Sequence, residues 1–418
     1  MLLARKLQVE MTEEQCCYFR HMCYAASKLW NLCNYEKYNW KELGLKEFPN
    51  WYYQKKKWKN NFWYKMLPSQ TAQEVCKSLD QSWKSYTSLK KTGGVKNPQP
   101  PNNKKTQMPI TYMQNGMKHN EEEIRLSLPI TLKQMVKEAD GFDKTFLFLR
   151  HKTISQVSNI KQLMIFPPQN GKCDVVLNYE VKEAVALPDN GKYLAIDLGI
   201  HNLATCFDSA NDKTFIVGRE YLAICHYFHK EIAKAQSALA KKSYSYGKSP
   251  QYTSKRLKAL RKKRNNSIRD YLHKLTKFIV NYCIKNEINT VVVGDLKGLA
   301  KNKKRSYHSK SYNQKLYEMP YFKISAMLEY KLTLKGINFV LQEESYSSQC
   351  SPNTPEVSKQ YAQKSNRIQR GLYIEGNQIY NADAVGAFNI LRKYCSSKGI
   401  KQQFSTKGLQ NTEIIKLK

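Results

Sequence analysis

A carboxylate set inside an apolar strand restricts what this chain can fold into more than any other feature. Tyr193-Leu194-Ala195-Ile196 lead into Asp197, and Leu198 follows it. A lone charge buried there would forfeit its hydration, so the position demands a cation or a dense set of hydrogen-bond donors. A second acid, Asp383, opens a helix in NADAVGAFNIL, where Val385, Phe388 and Leu391 would face a core. Alone, Asp383 reads as a first-turn acid favoured by the helix dipole, and each aspartate as structural. Together, at the edges of an α/β core in a basic chain, they suggest a hard-metal site. Oxygen ligands suit Mg²⁺, and two such ions activate water and stabilise the leaving oxygen of a phosphodiester.

The charge says which polymer. The 418 residues hold 69 Lys and Arg against 34 Asp and Glu, a net charge of +35. Self-repulsion on that scale calls for an anionic partner, nucleic acid ahead of a membrane surface. Aromatic residues at 12%, with 28 Tyr, add faces on which bases stack. No run approaches the ~20 apolar residues of a membrane span. The start, MLLARKLQVEMTEEQ, has no secretory apolar region. Eleven cysteines without a CxxC pair fit a reduced, cytosolic protein with buried thiols.

Periodicity sketches the rest. Thr12 and Gln15 suggest a capping box for a helix reaching about Trp40. Ala72, Val75, Leu79, Trp83, Tyr86 and Leu89 mark a second helix, ended by Gly93-Gly94. Between them, WYYQKKKWKNNFWYK interleaves aromatics with Lys55, Lys56 and Lys57, either an amphipathic surface or a nucleic-acid contact. Segments 2–9, 125–128, 145–149 and 175–179 alternate as strands, expected to close one small barrel around the helical insert. KYLAIDLGIHNLATCF then reads as a hairpin, followed by a helical region over 219–286 and the buried strand INTVVVGDL. A basic loop (KGLAKNKKRSYHSK), a helix near 321–335, the strand GINFVLQEE, a polar stretch over 345–378 and a closing helix after Asn381 complete the order. That order makes an α/β core with a mixed sheet. Arg256, Arg261, Lys262, Lys263 and Arg264 crowd the segment SKRLKALRKKRNNSIRDYLHK against the single acid Asp270, which points to phosphate contact.

The segments YLAIDLGIHNLAT, KRLKALRKKRNNSIRDYLHK, VVVGDLKGL, NQKLYEMPYFKISAMLEYKLTLKGI, EESYSSQC and NADAVGAFNIL, in this order, resemble the C-terminal half of TnpB proteins. These are RNA-guided nucleases encoded by insertion sequences, similar in their core to compact type V CRISPR effectors. The match spans about 191–395, and the N-terminal half agrees mainly in layout. The resemblance implies an α/β RNase H-like (RuvC) nuclease domain over 191–395, a β-barrel wedge domain over 1–11 and 109–190, and a helical recognition domain over 12–108. It also implies a degenerate zinc-finger-like insert at 345–380, and the basic tail, 396–418, is expected to be disordered.

By the same resemblance, Asp197 and Asp383 are the first and last RuvC acids. The family's middle acid belongs at Gly294, so its role passes to Glu344, with Glu343 and Asp295 as rivals. Where the family holds zinc with two CxxC pairs, this stretch keeps only Cys350, so no zinc is expected. His201 and His273 read as core or surface histidines. The implied activity is Mg²⁺-dependent, RNA-guided cleavage of double-stranded DNA in a prokaryotic cytoplasm, with a guide RNA and a short target-adjacent motif. Asp197, Glu344 and Asp383 would hold two Mg²⁺ ions. The alternatives are a compact type V CRISPR effector using CRISPR RNA, and a nuclease-inactive RNA-guided repressor, which Gly294 favours.

Overall fold

The structure is a computed structural model describing residues 1–93, 95–245, 253–296, 315–369 and 371–417. The chain divides into two units, Met1–Lys182 and Glu183–Lys418, each with its own core.

In the first unit, strand β1 (Leu2–Glu10) leads to helix α1 (Glu13–Tyr38), capped as the sequence implies. The Thr12 hydroxyl accepts from the Gln15 amide, and the Gln15 side chain accepts from the Thr12 amide. Tyr18, Phe19, Met22, Ala26, Leu29 and Cys33, spaced three or four apart in most steps, form its buried face. Short helices α2 (Trp51–Lys57) and α3 (Phe62–Lys65) lead to α4 (Ser69–Thr92). A buried ion pair, Lys37 to Asp80 at 2.8 Å, ties α1 to α4. The Pro49 carbonyl also accepts from Lys37, which helps offset the desolvation of its ammonium.

The remaining elements are β2 (Ile110–Met113), β3 (Met117–His119), β4 (Glu123–Ser127), helix α5 (Ile130–Asp140), β5 (Phe146–Arg150), β6 (Ile160–Ile165) and β7 (Lys172–Glu180). The strands make two antiparallel sheets, β1-β7-β6-β2 and β3-β4-β5, where the sequence suggested one barrel. A 3₁₀ turn at Gln114–Gly116 interrupts the chain between β2 and β3, so the ladder does not run from one sheet into the other. Helices and strands share a single core that includes Leu7, Phe19, Leu79, Ile124 and Leu163. Helix α5 escaped the sequence reading because its buried face is only Leu132 and Val136, too brief a period to register.

The second unit is built on β8 (Tyr193–Asp197), β9 (Ala204–Asp208), β10 (Lys213–Val217), α6 (Glu220–Ser245), α7 (Lys255–Lys285), β11 (Thr290–Asp295), α8 (Tyr321–Thr333) and β12 (Asn338–Glu343). A hairpin, β13 (Leu372–Glu375) and β14 (Gln378–Asn381), then precedes α9 (Ala382–Ser397) and β15 (Thr412–Ile415). The basic loop at 297–310 lies outside the described residues. Sheet order is β12-β11-β8-β9-β10-β15. Strands β8, β9 and β10 run antiparallel, and β11 and β12 run parallel to β8, an RNase H-like arrangement. Leu194, Ile196, Val291 and Val293 share one core with α6, α7 and α8, while Tyr193, Ala195 and Val292 share another with α9. Strand alternation therefore sends Asp197, two residues past Ala195, to the α9 side.

The tail expected to be disordered is folded. Leu409 is fully buried, Phe404 meets Phe207 and Phe388 edge-on, and β15 pairs in parallel with β10 from Thr214–Thr412 to Val217–Ile415. Its lysines masked a short β-branched run whose partner lies about 200 residues earlier in the chain, a pairing that local periodicity does not carry. Leu409→Ala should cost the second unit about 2–5 kcal/mol of stability. All six tryptophans lie in the first unit. The loss should therefore appear in the circular-dichroism unfolding curve and spare the tryptophan-fluorescence transition; a change under about 0.5 kcal/mol would mean that the tail is not docked.

Candidate functional site

Helix α9 packs against β8, β9, β11 and β12 and sets the geometry of the acids. Its N-cap, Asn381, accepts from the amides of Asp383 (3.0 Å) and Ala384 (3.2 Å), fixing the first turn. At Gly386 a Cβ would stand 2.5 Å from Asp197 Oδ2, so the end of β8 lies directly against the helix backbone. Glu344 follows β12, and its Oε2 lies 2.3 Å from the place a Cβ at Gly294 would take. The slot of the expected middle acid is thus filled from the neighbouring strand, and a glycine at 294 leaves the room.

The acids act on one another. Burial, then Glu344 and Asp383, push the Asp197 carboxyl up to about 8, with Arg367 pulling the other way. Burial, then Glu343 and Asp295, push Glu344 up to about 7. Acids raised in this way form a cluster whose charge a divalent cation would balance, and an all-carboxylate donor set fits Mg²⁺. Glu343 behaves differently: burial works to raise it, but Lys393 and Ser345 outweigh that and leave it lowered. Lys393 pairs with it directly, and the Ser345 amide donates to it at 2.7 Å. Asp295 is half-buried and stands opposite Glu343 in the β11–β12 ladder.

Three residues absent from the sequence reading surround Asp383. Asn202 Nδ2 donates to Oδ2 at 2.7 Å, Arg367 donates to Oδ1 at 3.2 Å, and Arg219 Nε holds Asn202 Oδ1 at 2.9 Å. Asn202 lies within YLAIDLGIHNLAT, five residues after Asp197, so a signal for it existed. Arg367 carried none, because only the folded insert brings it to Asp383. That insert is ordered by α9. The buried Asn389 donates to the carbonyls of Ser347 and Cys350, both at 2.8 Å, and Arg392 donates to those of Ser351 and Thr354. The Cys350 thiol donates to the Ser358 carbonyl at 3.2 Å.

The basic residues divide. Arg256, Arg261, Lys262 and Lys263 are exposed on α7. Arg264 is half-buried and pairs with Glu318 at 3.4 Å, so its charge is engaged in part within the protein. On α2, Lys56 is exposed, Lys57 pairs with Glu36 at 2.5 Å, and Lys55 lies over Trp51, 4.6 Å from the ring centroid. His273 sits on α7, its ring lowered by burial, then by Lys331 and Arg269.

With this geometry in place, residues 176–300 match the OrfB_IS605 family model, a probable transposase, and residues 321–390 match the Cas12f1-like TNB domain model. Between them the two matches span most of the second unit. No curated protein matches the chain. The protein of a Cas12f1–sgRNA–target DNA complex superposes with a TM-score of 0.59 at 14% identity, over 91% of this chain and 83% of that one. The chain accordingly shares the fold of that protein. More distant matches are a CRISPR-Cas12f ternary complex (TM-score 0.36, 15% identity, 91% of this chain and 82% of that one) and the mini-RNA-guided endonuclease CRISPR-Cas_phi3 (0.35, 13%, 65% and 57%). Among the described residues no helix is long and apolar enough to cross a membrane.

Two outcomes test the cluster. In metal-free protein, folding lifts the Asp197 carboxyl from its ordinary value of 3.8 to about 8, so the folded chain retains a proton that the unfolded chain gives up. This group's contribution is full below about pH 4, declines from there, and is lost above about pH 8. In the presence of a chelator the melting temperature should therefore fall from about pH 5 to about pH 8.5, and Asp197→Asn should flatten that fall. An unchanged slope would remove Asp197 from the cluster. Gly294→Ala should displace the flexible end of Glu344 at about 1 kcal/mol of stability. It should weaken Mn²⁺ binding, read by electron paramagnetic resonance, roughly tenfold or more; unchanged binding would show that Glu344 is not a ligand.

Proposed function

We propose that this chain is an RNA-guided, Mg²⁺-dependent DNA endonuclease. The observation that carries the reading is that Glu344, after β12, and Asp383, in the first turn of α9, lie near enough to Asp197 on β8 to raise its carboxyl, in a RuvC-type fold with a net charge of +35. The three carboxylates would hold two Mg²⁺ ions, which supply an activated water and charge stabilisation in phosphodiester hydrolysis. Asn202 fixes the Asp383 carboxylate, with Arg219 fixing Asn202 in turn, so the last ligand is oriented before cation or substrate arrives. Glu343, neutralised by Lys393, stays out of the ligand set.

A guide RNA paired with one DNA strand is the substrate that suits this charge. The exposed Arg256, Arg261, Lys262 and Lys263, and Lys56 beside the aromatics of α2, would follow its backbone, while base pairing supplies sequence. The sheets of the first unit would act as the wedge and its helices as the recognition portion, reading the target-adjacent motif in a prokaryotic cytoplasm. The Cas12f1-like match favours a second reading, a compact effector loaded with CRISPR RNA. Sequencing the RNA that copurifies separates the two: one locus-encoded RNA supports the first, and repeat-derived RNA supports the second.

Asp197→Ala should abolish cleavage of a guide-matched duplex while leaving RNA affinity within a few-fold. Glu344→Gln should lose roughly a hundredfold or more in cleavage rate, and Glu343→Gln little. Cleavage surviving in Asp197→Ala, or equal losses at 343 and 344, would overturn the assignment.

A further inference from the structure

A second cluster of ligand-type side chains lies in the first unit, where the proposed nuclease chemistry makes no use of it. Cys17 and His21 stand four residues apart on one face of α1, and Asp140 closes α5 beside them. Their donor atoms all fall within 4.8 Å of one another. Cys17 Sγ lies 3.3 Å from Asp140 Oδ2, and His21 Nε2 lies 3.2 Å from the same oxygen. We propose that Cys17, His21 and Asp140 form a zinc site with its fourth position left to water.

The spacing is the first support. Tetrahedral zinc with bonds of roughly 2.0–2.3 Å sets its oxygen, nitrogen and sulfur ligands roughly 3.3–3.5 Å apart along each edge, close to both separations seen here. Thiolate, imidazole and carboxylate together select zinc over Mg²⁺ or Ca²⁺, which take oxygen alone. Placement is the second. Asp140 is the last residue of α5, where a carboxylate faces the negative end of the helix dipole and a cation is favoured. Lys137, the basic residue of that turn, is engaged by Asp143 at 2.7 Å. Rigidity is the third. Tyr18, next to Cys17, donates to the Phe142 carbonyl and accepts from the Lys144 amide, both at 3.1 Å, so the corner after α5 is already tied to α1. His21 and Asp140 keep 36% and 37% of their side chains exposed, which leaves a path for the ion and its water. On binding, the thiol and any protonated imidazole release their protons, and the ion clamps α1 to α5. The site departs from the expectation of no zinc, which rested on the missing CxxC pairs near Cys350.

The test is a Co²⁺ titration of the chelator-stripped, full-length protein under a phosphine reductant. A thiolate-to-cobalt charge-transfer band with d–d bands of tetrahedral intensity should saturate at one equivalent and bleach on adding Zn²⁺. Cys17→Ser should abolish the charge-transfer band. His21→Gln and Asp140→Asn should keep it but weaken Co²⁺ binding roughly tenfold or more, with unchanged circular dichroism. Cys350→Ser should leave the titration as it is. No charge-transfer band at millimolar Co²⁺, its survival in Cys17→Ser, or its loss in Cys350→Ser would each overturn the proposal.

Discussion

Helix α9 lies across the sheet with its backbone against a carboxylate, and the second unit is organised around that contact. A side chain at 386 would collide with Asp197, so the approach depends on glycine there. Phe388, Ile390 and Leu391 supply the apolar contact that holds the helix in place. Its first turn carries Asp383, and its later turns hold the 345–380 segment through Asn389 and Arg392. One packed helix thereby fixes the last acid, presses on the first and folds the insert from which Arg367 returns to Asp383. Bringing carboxylates together this way opposes their ionisation, and a divalent cation would relieve that opposition.

The first unit shows the same economy with charge. Lys37 and Asp80 are buried as a pair, and Lys57 is spent on Glu36, so the lysines there are not all available for phosphate. On α7, Arg256, Arg261, Lys262 and Lys263 are exposed, while Leu257, Ile268, Leu272 and Leu275 of the same helix are buried. Arg264 pairs with Glu318. A count of basic residues therefore overstates a binding face, because acids within the protein engage part of it.

Much of the second unit was legible because its signals are local. The apolar run before Asp197, the apolar periodicity of NADAVGAFNIL and the strand-like VVVGD each declare their own secondary structure. Choosing between Glu343 and Glu344 was another matter. Adjacent residues at a strand end have the same composition and the same neighbours in sequence, and the difference lies in Gly294 on one side and Lys393 on the other. Asn202 was written into a segment already singled out, whereas Arg367 needed the hairpin, the insert and α9 to be in place before it had any relation to Asp383.

By itself the sequence determined which segments are helix or strand wherever the period was long enough, that the chain needs a polyanionic partner, and that Asp197 must have company. It also carried the TnpB resemblance of the second unit, since order and spacing of motifs survive without coordinates. Tertiary structure decided the rest: that the strands of the first unit form two sheets, that the lysine-rich tail ends as a sixth strand, that Glu344 fills the space left by Gly294, and that Cys17, His21 and Asp140 meet. Each of these depends on groups brought together across the chain or on which side of an element a residue faces. Local periodicity gives direction within one element, and only packing of one element on another turns direction into distance.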